Sequence, residues 1–212
     1  MSNSIQIPTM TPSVVHEYLE GIGKAWTGKG IGIELGSWLG ASSVPLLKGL
    51  SAAGYDKQFW AFDRWVANKD QVQRAKAQGV DITVHENLTY LYLKNVSDIY
   101  DNVAAITGNL PSKLNVFSGE PIEICIFDAP KTNPVFIESI TQLEKFFIPG
   151  ITILGLLDYY SYRKNEGVKR ERLKAPVRYM DENKDRYQKL AEWPDICSCV
   201  FFKYLGHAVD SR

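Results

Sequence analysis

The residues able to do chemistry in this chain gather at the ends of short apolar runs. Glu34-Leu35-Gly36-Ser37-Trp38-Leu39-Gly40-Ala41-Ser42 closes the run Ile31 to Leu35, and Asp63 closes Gln58 to Phe62. Gly108-Asn109 follows Val103 to Thr107, Asp128-Ala129-Pro130-Lys131 follows Ile122 to Phe127, and Asp158 follows Ile151 to Leu157. Gly36 lets the backbone turn with no Cβ in the way, and Gly40 lets a ligand approach the start of a following helix. The Gly-x-x-x-Gly spacing lacks the additional glycine that a dinucleotide pyrophosphate wants, and a preceding Glu34 would repel that group. The same carboxylate could pair with, or accept from, a cationic amino-acid moiety. The Gly-Lys-Ser/Thr of a P-loop is missing. Asp63 suits the chelation of ribose hydroxyls at a strand tip, and Asp128 with Lys131 puts an acid and a lysine on one tight turn.

Such residues converge only if the runs lie side by side in one sheet. Short β-branched runs alternate with longer helical ones, the pattern of a parallel sheet covered on both faces. Ile122 to Phe127 is nearly continuous in apolar residues, as expected of a strand buried on both faces. Helices are expected over about 11–26, with Thr11 as cap and Pro12 as first helical residue, and over about 40–53, 69–78, 88–100 and 134–147. The charged stretch 163–186 reads as partly helical. Cys197 to Tyr204 reads as a final strand, with Gln188 to Trp193 as its antiparallel partner across Trp193-Pro194-Asp195. The predicted fold is α/β: a Rossmann-like, doubly wound, mostly parallel sheet with helices on both faces and an antiparallel C-terminal strand. Residues 1–212 form a single domain in this reading, with 1–29 as an N-terminal helical extension.

Composition sets limits on partners. The chain has 212 residues, 45% apolar and 23% charged, an ordinary globular balance. Its 24 basic and 24 acidic side chains cancel, so no broad positive field points to nucleic acid or an anionic membrane surface. A small molecule is the expected partner. Cys125, Cys197 and Cys199 lie in apolar stretches and read as free thiols packed in strands, in a reducing compartment. The N-terminal stretch carries neither a basic region nor an apolar core of a signal, and no run approaches the roughly 20 apolar residues of a membrane span. A cytoplasmic location is expected.

The Glu-x-Gly-x-x-x-Gly-x-Ser pattern after the first strand resembles motif I of class I S-adenosylmethionine-dependent methyltransferases. The resemblance implies that Glu34, Gly36, Ser37, Gly40 and Ser42 cradle the methionyl part of S-adenosylmethionine. It also implies that Asp63 binds the ribose and that Asn109 lies near the adenine, where the family often carries Gly-Asp. Asp128-x-x-Lys131 followed by Asp158 is similar to the cation-dependent O-methyltransferases of the catechol and caffeoyl-coenzyme A type, and to the macrolide-sugar O-methyltransferases. In that comparison Asp128 and Asp158 hold Mg2+, which acidifies an acceptor hydroxyl, and a Lys131 of depressed pKa takes its proton. Asp128 also adjoins the donor. Tyr159 and Leu157 stand where further ligands are expected. Asp128 could instead bind a substrate amine or hydroxyl, with Lys131 a solvated turn residue.

Other candidates are Trp38 and Trp65 as cofactor-packing rings and Tyr159, Tyr160 and Tyr162 as an acceptor wall. His85 is the one histidine considered as a base, and the basic run from Arg163 to Lys174 could greet an anionic acceptor. The expected activity is methylation, at oxygen, of a small-molecule acceptor by a possible homodimer. The alternatives are a non-catalytic nucleoside-binding module and, against the glycine spacing, a nicotinamide-dependent reductase.

Overall fold

In the computed structural model, which describes residues 7–207, seven strands form one sheet in the order β3-β2-β1-β4-β5-β7-β6. They are β1 (Ile31–Leu35), β2 (Phe59–Asp63), β3 (Val103–Thr107), β4 (Ile122–Phe127), β5 (Ile153–Leu156), β6 (Tyr187–Glu192) and β7 (Val200–Tyr204). Neighbours from β3 to β5 pair in parallel; β7 runs antiparallel to β5, and β6 antiparallel to β7. The expected doubly wound sheet with an antiparallel end is therefore present. Residues 1–6, part of the expected N-terminal extension and of the stretch read as lacking a signal, lie outside the described residues.

The sheet separates two apolar cores, and strand alternation decides which side chain enters which. Phe59 and Ala61 of β2 with Ile124 and Ile126 of β4 enter one core; Trp60, Phe62, Cys125 and Phe127 enter the other. The first core is closed by α1 (Ser13–Lys24), α2 (Ser43–Ala52), α3 (Lys69–Ala77) and α4 (Thr89–Ser97). The second is closed by α5 (Val135–Glu144) and α7 (Ala175–Glu182), with the short α6 (Gly167–Leu173) just before α7 in the charged stretch. Phe136, Ile140 and Leu143 form the buried stripe of α5, at the spacing of one helix face. No helix among the described residues is long and apolar enough to cross a membrane.

Several boundaries move for local reasons. Pro12, not Thr11, is the N-cap residue of α1, and Thr11 spends its N–H on the Thr9 hydroxyl at 3.0 Å. The second helix begins at Ser43 and not Gly40, because residues 38–42 are used in turns. α3 starts at a reciprocal capping box, Gln71 N–H to Asn68 and Asn68 N–H to Gln71, both 3.0 Å. Helices α1 and α2 touch through backbone, since a Cβ on Gly49 would stand 2.1 Å from the Glu20 carbonyl oxygen.

The lead-in to β1 is held by one buried carboxylate. Glu123 on β4 accepts the N–H groups of Thr27, Lys29 and Gly30 at 2.5, 3.0 and 3.0 Å. Glu123→Ala removes these bonds and leaves donors without partners, so it is expected to destabilise the fold by about 3 kcal/mol. Urea unfolding would measure it; a loss under about 0.5 kcal/mol, within the range of ordinary surface changes, would contradict this role.

Candidate functional site

Sheet order reverses between β1 and β4, and a cavity of about 590 Å³ opens there beyond the carboxyl ends of the strands. Gly36, Trp38, Asp63, Asp128, Lys131 and Asp158 all line it. A second hollow of about 340 Å³ shares Asp63, Arg64, Gln71 and Ala129 with the first and adds Gly108 and Asn109. The tips of five adjacent strands thus supply one two-lobed crevice.

Its floor depends on a close approach of two turns. Leu35 O accepts the N–H groups of Asp128 and Ala129 at 2.8 and 2.9 Å, which draws the β4 turn onto the β1 turn. Gly36 has φ +99°, and a Cβ there would lie 2.5 Å from Ala129 N. Glycine is required on both counts.

Asp63 holds the wall between the lobes. Its two oxygens accept Trp38 N–H at 3.0 Å and Trp65 N–H at 2.7 Å. Trp38 and Trp65 have φ +40° and +43°, a conformation bulky residues avoid, and Trp65 Nε1 also donates to Trp38 O at 2.7 Å. A carboxylate has about four acceptor sites, so Asp63 keeps capacity for a ligand facing it from either lobe. Trp38 Nε1 is buried beside the cavity without a partner among the described residues.

Most other residues of the glycine turn do something different from what the resemblance implied. Glu34 is fully buried on the α2 side of β1, accepting the Ser42 hydroxyl at 2.6 Å and the Ser43 hydroxyl. Burial raises its pKa, and the serine hydroxyls oppose that rise. It clamps the start of α2 and is absent from the cavity lining, as are Ser37, Gly40 and Ser42. Gly40, at φ +91°, faces Val96 and Tyr92 of α4. Of the motif residues only Gly36, and Trp38 between the glycines, reach the crevice.

On the opposite wall Lys131 Nζ is ion-paired with Asp158 and lies near Asp128. Burial, followed by the charge of Asp158, pushes the Asp128 pKa well up. For Lys131 burial pulls downward, but the charge and hydrogen bond of Asp158 outweigh it and the pKa rises. The expected lysine of depressed pKa is thus corrected: this ammonium holds its proton. A divalent cation fits poorly here. Mg2+ is held through one or two free carboxylates with waters completing its octahedron, but Asp158 is already taken by an ammonium and Leu157 offers no side-chain donor. The Tyr159 ring is buried against Phe202, 5.6 Å between centroids. Among the described residues no three His, Cys, Asp or Glu side chains converge as a metal site.

Further expectations are also corrected. Trp65 is buried against Tyr92 in the first core, so it cannot stack on a ligand. Tyr159, Tyr160 and Tyr162 do not line the cavity; the Tyr160 hydroxyl donates to Glu192. His85 is exposed on the surface and is not part of the crevice lining. Cys197 and Cys199 precede β7 and border the cavity, with Cys199 buried in the first core and Cys197 packed against it, and Cys125 is buried on β4 in the second core; all three are free.

No family model matches the chain, and no curated protein matches it by sequence. Solved structures do match in shape. Cofactor-bound Rv0187 from MTB superposes with a TM-score of 0.61 at 14% identity, covering 95% of this chain and 85% of that one. The SAH-bound Podospora anserina methyltransferase PaMTH1 gives 0.57 at 11% identity, with 92% and 80% covered. MycE, a methyltransferase of the mycinamycin pathway in complex with Mg, SAH and mycinamycin VI, gives 0.53 at 13%, with 88% and 48% covered. The chain has the class I methyltransferase fold.

Within this methyltransferase fold, sequence reasoning missed part of the crevice wall. Met10, Thr11 and Pro12 come from the segment before α1, Arg64 from the turn after β2, Arg74 from α3, and Ile196 to Cys199 from the segment before β7. Only the position of Arg64, next to a strand-ending acid, carried a signal.

The buried clamp has a pH signature. The folded pKa of Glu34 lies above its ordinary value of 4.5, so its stabilising contribution is complete below pH 4.5 and is lost as pH rises through the raised value. Glu34→Gln lacks that titration. Unfolding free energies across pH should therefore fall less steeply for Glu34→Gln above pH 4.5 than for the wild type; parallel profiles would contradict the buried clamp.

Proposed function

We propose that this chain is an S-adenosylmethionine-dependent methyltransferase that methylates an oxygen of a small-molecule acceptor. The observation that carries the reading is Asp63: a carboxylate fixed by two backbone N–H groups, between a lobe lined by Gly36 and Trp38 and a lobe lined by Asn109. A nucleoside with a charged amino-acid tail has that division. The ribose hydroxyls bond Asp63, the adenine enters the Asn109 lobe, and the methionyl part lies over Gly36 beside Trp38, whose Nε1 lacks a partner among the described residues.

S-adenosylmethionine supplies an electrophilic methyl on a sulfonium, a good leaving group, so the protein mainly aligns the acceptor with it. Asp128 and Lys131 border the space beside Gly36 and orient the acceptor hydroxyl there. Thr11, Pro12 and Ile196 also line the crevice. A binding module without chemistry would not need this set of charged side chains at the acceptor side. In this reading the chain works as one cytoplasmic domain on a free small molecule, its zero net charge offering nucleic acid no field. Helix α1 is a contact element for a homodimer in this reading; the terminal strand β7 is paired on both edges, and the free edge, with Leu190 exposed, belongs to β6.

Calorimetry with S-adenosylmethionine and S-adenosylhomocysteine is the test. Both should bind, NADH should not, and Asp63→Ala should weaken S-adenosylhomocysteine about 100-fold, the loss of one or two charge-assisted hydrogen bonds. Absence of binding by both sulfur nucleosides to the folded protein would overturn the proposal, and tight NADH binding would favour a reductase.

A further inference from the structure

The acceptor side of the crevice contains a cation of its own. Lys131 reaches Asp158 across the gap between the β4 and β5 tips, in direct contact with that carboxylate and under the charge of Asp128. Its backbone is well placed: the N–H groups of Asp128 and Ala129 are tied to Leu35 O, and the buried Pro130 comes immediately before it. Where a metal-binding arrangement would add oxygen donors, Leu157 is apolar and the Tyr159 ring belongs to the second core. The site therefore has two acidic side chains and one fixed ammonium, and the ammonium already occupies the Asp158 carboxylate that a metal would need.

We infer that the Lys131 ammonium is the resident cation of the acceptor site and does there what a divalent metal would otherwise do. This rests on the methyl-donor reading above. The ammonium donates a hydrogen bond to the acceptor oxygen and, with the donor's sulfonium, stabilises negative charge as it develops. The acceptor's hydroxyl proton passes to a carboxylate oxygen of Asp128. The freed oxygen pair forms the new C–O bond, the C–S bond breaks, and its electrons remain on sulfur as the thioether. Lys131 keeps its three protons throughout, so it is an electrostatic catalyst and not the base that the resemblance implied. Its raised proton affinity agrees with that role. Arg74 lines the same cavity and repels a second cation from the opposite wall.

Manganese is the probe, followed by electron paramagnetic resonance on the full chain with S-adenosylhomocysteine saturating. The wild type should leave the free Mn2+ signal undiminished at millimolar metal. The double variant Lys131→Ala, Leu157→Asp, which removes the ammonium and adds a third carboxylate, should take up one Mn2+ per chain while retaining S-adenosylhomocysteine binding. Stoichiometric Mn2+ on the wild type overturns the inference, and so does a double variant that binds the nucleoside normally but takes up no metal. Should the double variant not fold, the wild-type titration alone decides. Failure of the wild type to bind the nucleoside would sink the methyl-donor reading, a separate result that the calorimetry above reads directly.

Discussion

The crevice depends on one carboxylate with two duties. Asp63 receives the backbone N–H groups of Trp38 and Trp65, and so fastens the turn after β1 to the turn after β2 while both tryptophans sit in a left-handed conformation. Hydrogen bonds to a charged acceptor are worth about 1.5–3 kcal/mol each, enough to offset backbone strain of about 1–3 kcal/mol at each residue. The same carboxylate faces the space between the two lobes. Structural and ligand-facing roles fall on one group, so the geometry of the wall is set before any ligand arrives. That is the preorganisation on which binding at a strand-end crevice relies.

Around this anchor the sheet sorts charges by alternation. On β1, Ile31, Ile33 and Leu35 enter the second core, which turns Glu34 to the opposite face and under the start of α2. There it satisfies serine hydroxyls. The acids that end β2, β4 and β5 instead project past the sheet into the crevice, where Lys131 answers Asp158. One strand position thus separates a buried clamp from a group available to a ligand.

That difference explains what could be read from the chain. The strands β1, β3 and β4 were legible to the residue or nearly so, because continuous apolar runs between polar turns leave few alternatives. Asp63, Asp128 and Asp158 were legible as strand-end acids for the same reason, and the crevice brings them together. Glu34 was misread because the motif was taken as a unit; the period-two alternation of β1 already pointed it away from the ligand side. Trp65 follows Asp63 by two residues and was placed at the ligand, yet its left-handed backbone turns it into the first core, an effect that spacing does not carry. The Lys131–Asp158 pair and the wall formed by Met10, Thr11 and Cys197 are tertiary, made by segments far apart in sequence.

The most direct test of this account is a crystal structure of the chain with S-adenosylhomocysteine. The account predicts ribose hydroxyls on the Asp63 carboxylate, adenine in the lobe beside Asn109, and the homocysteine sulfur over Gly36 on the side of Asp128 and Lys131. A nucleoside bound elsewhere, or one whose ribose makes no contact with Asp63, would contradict it.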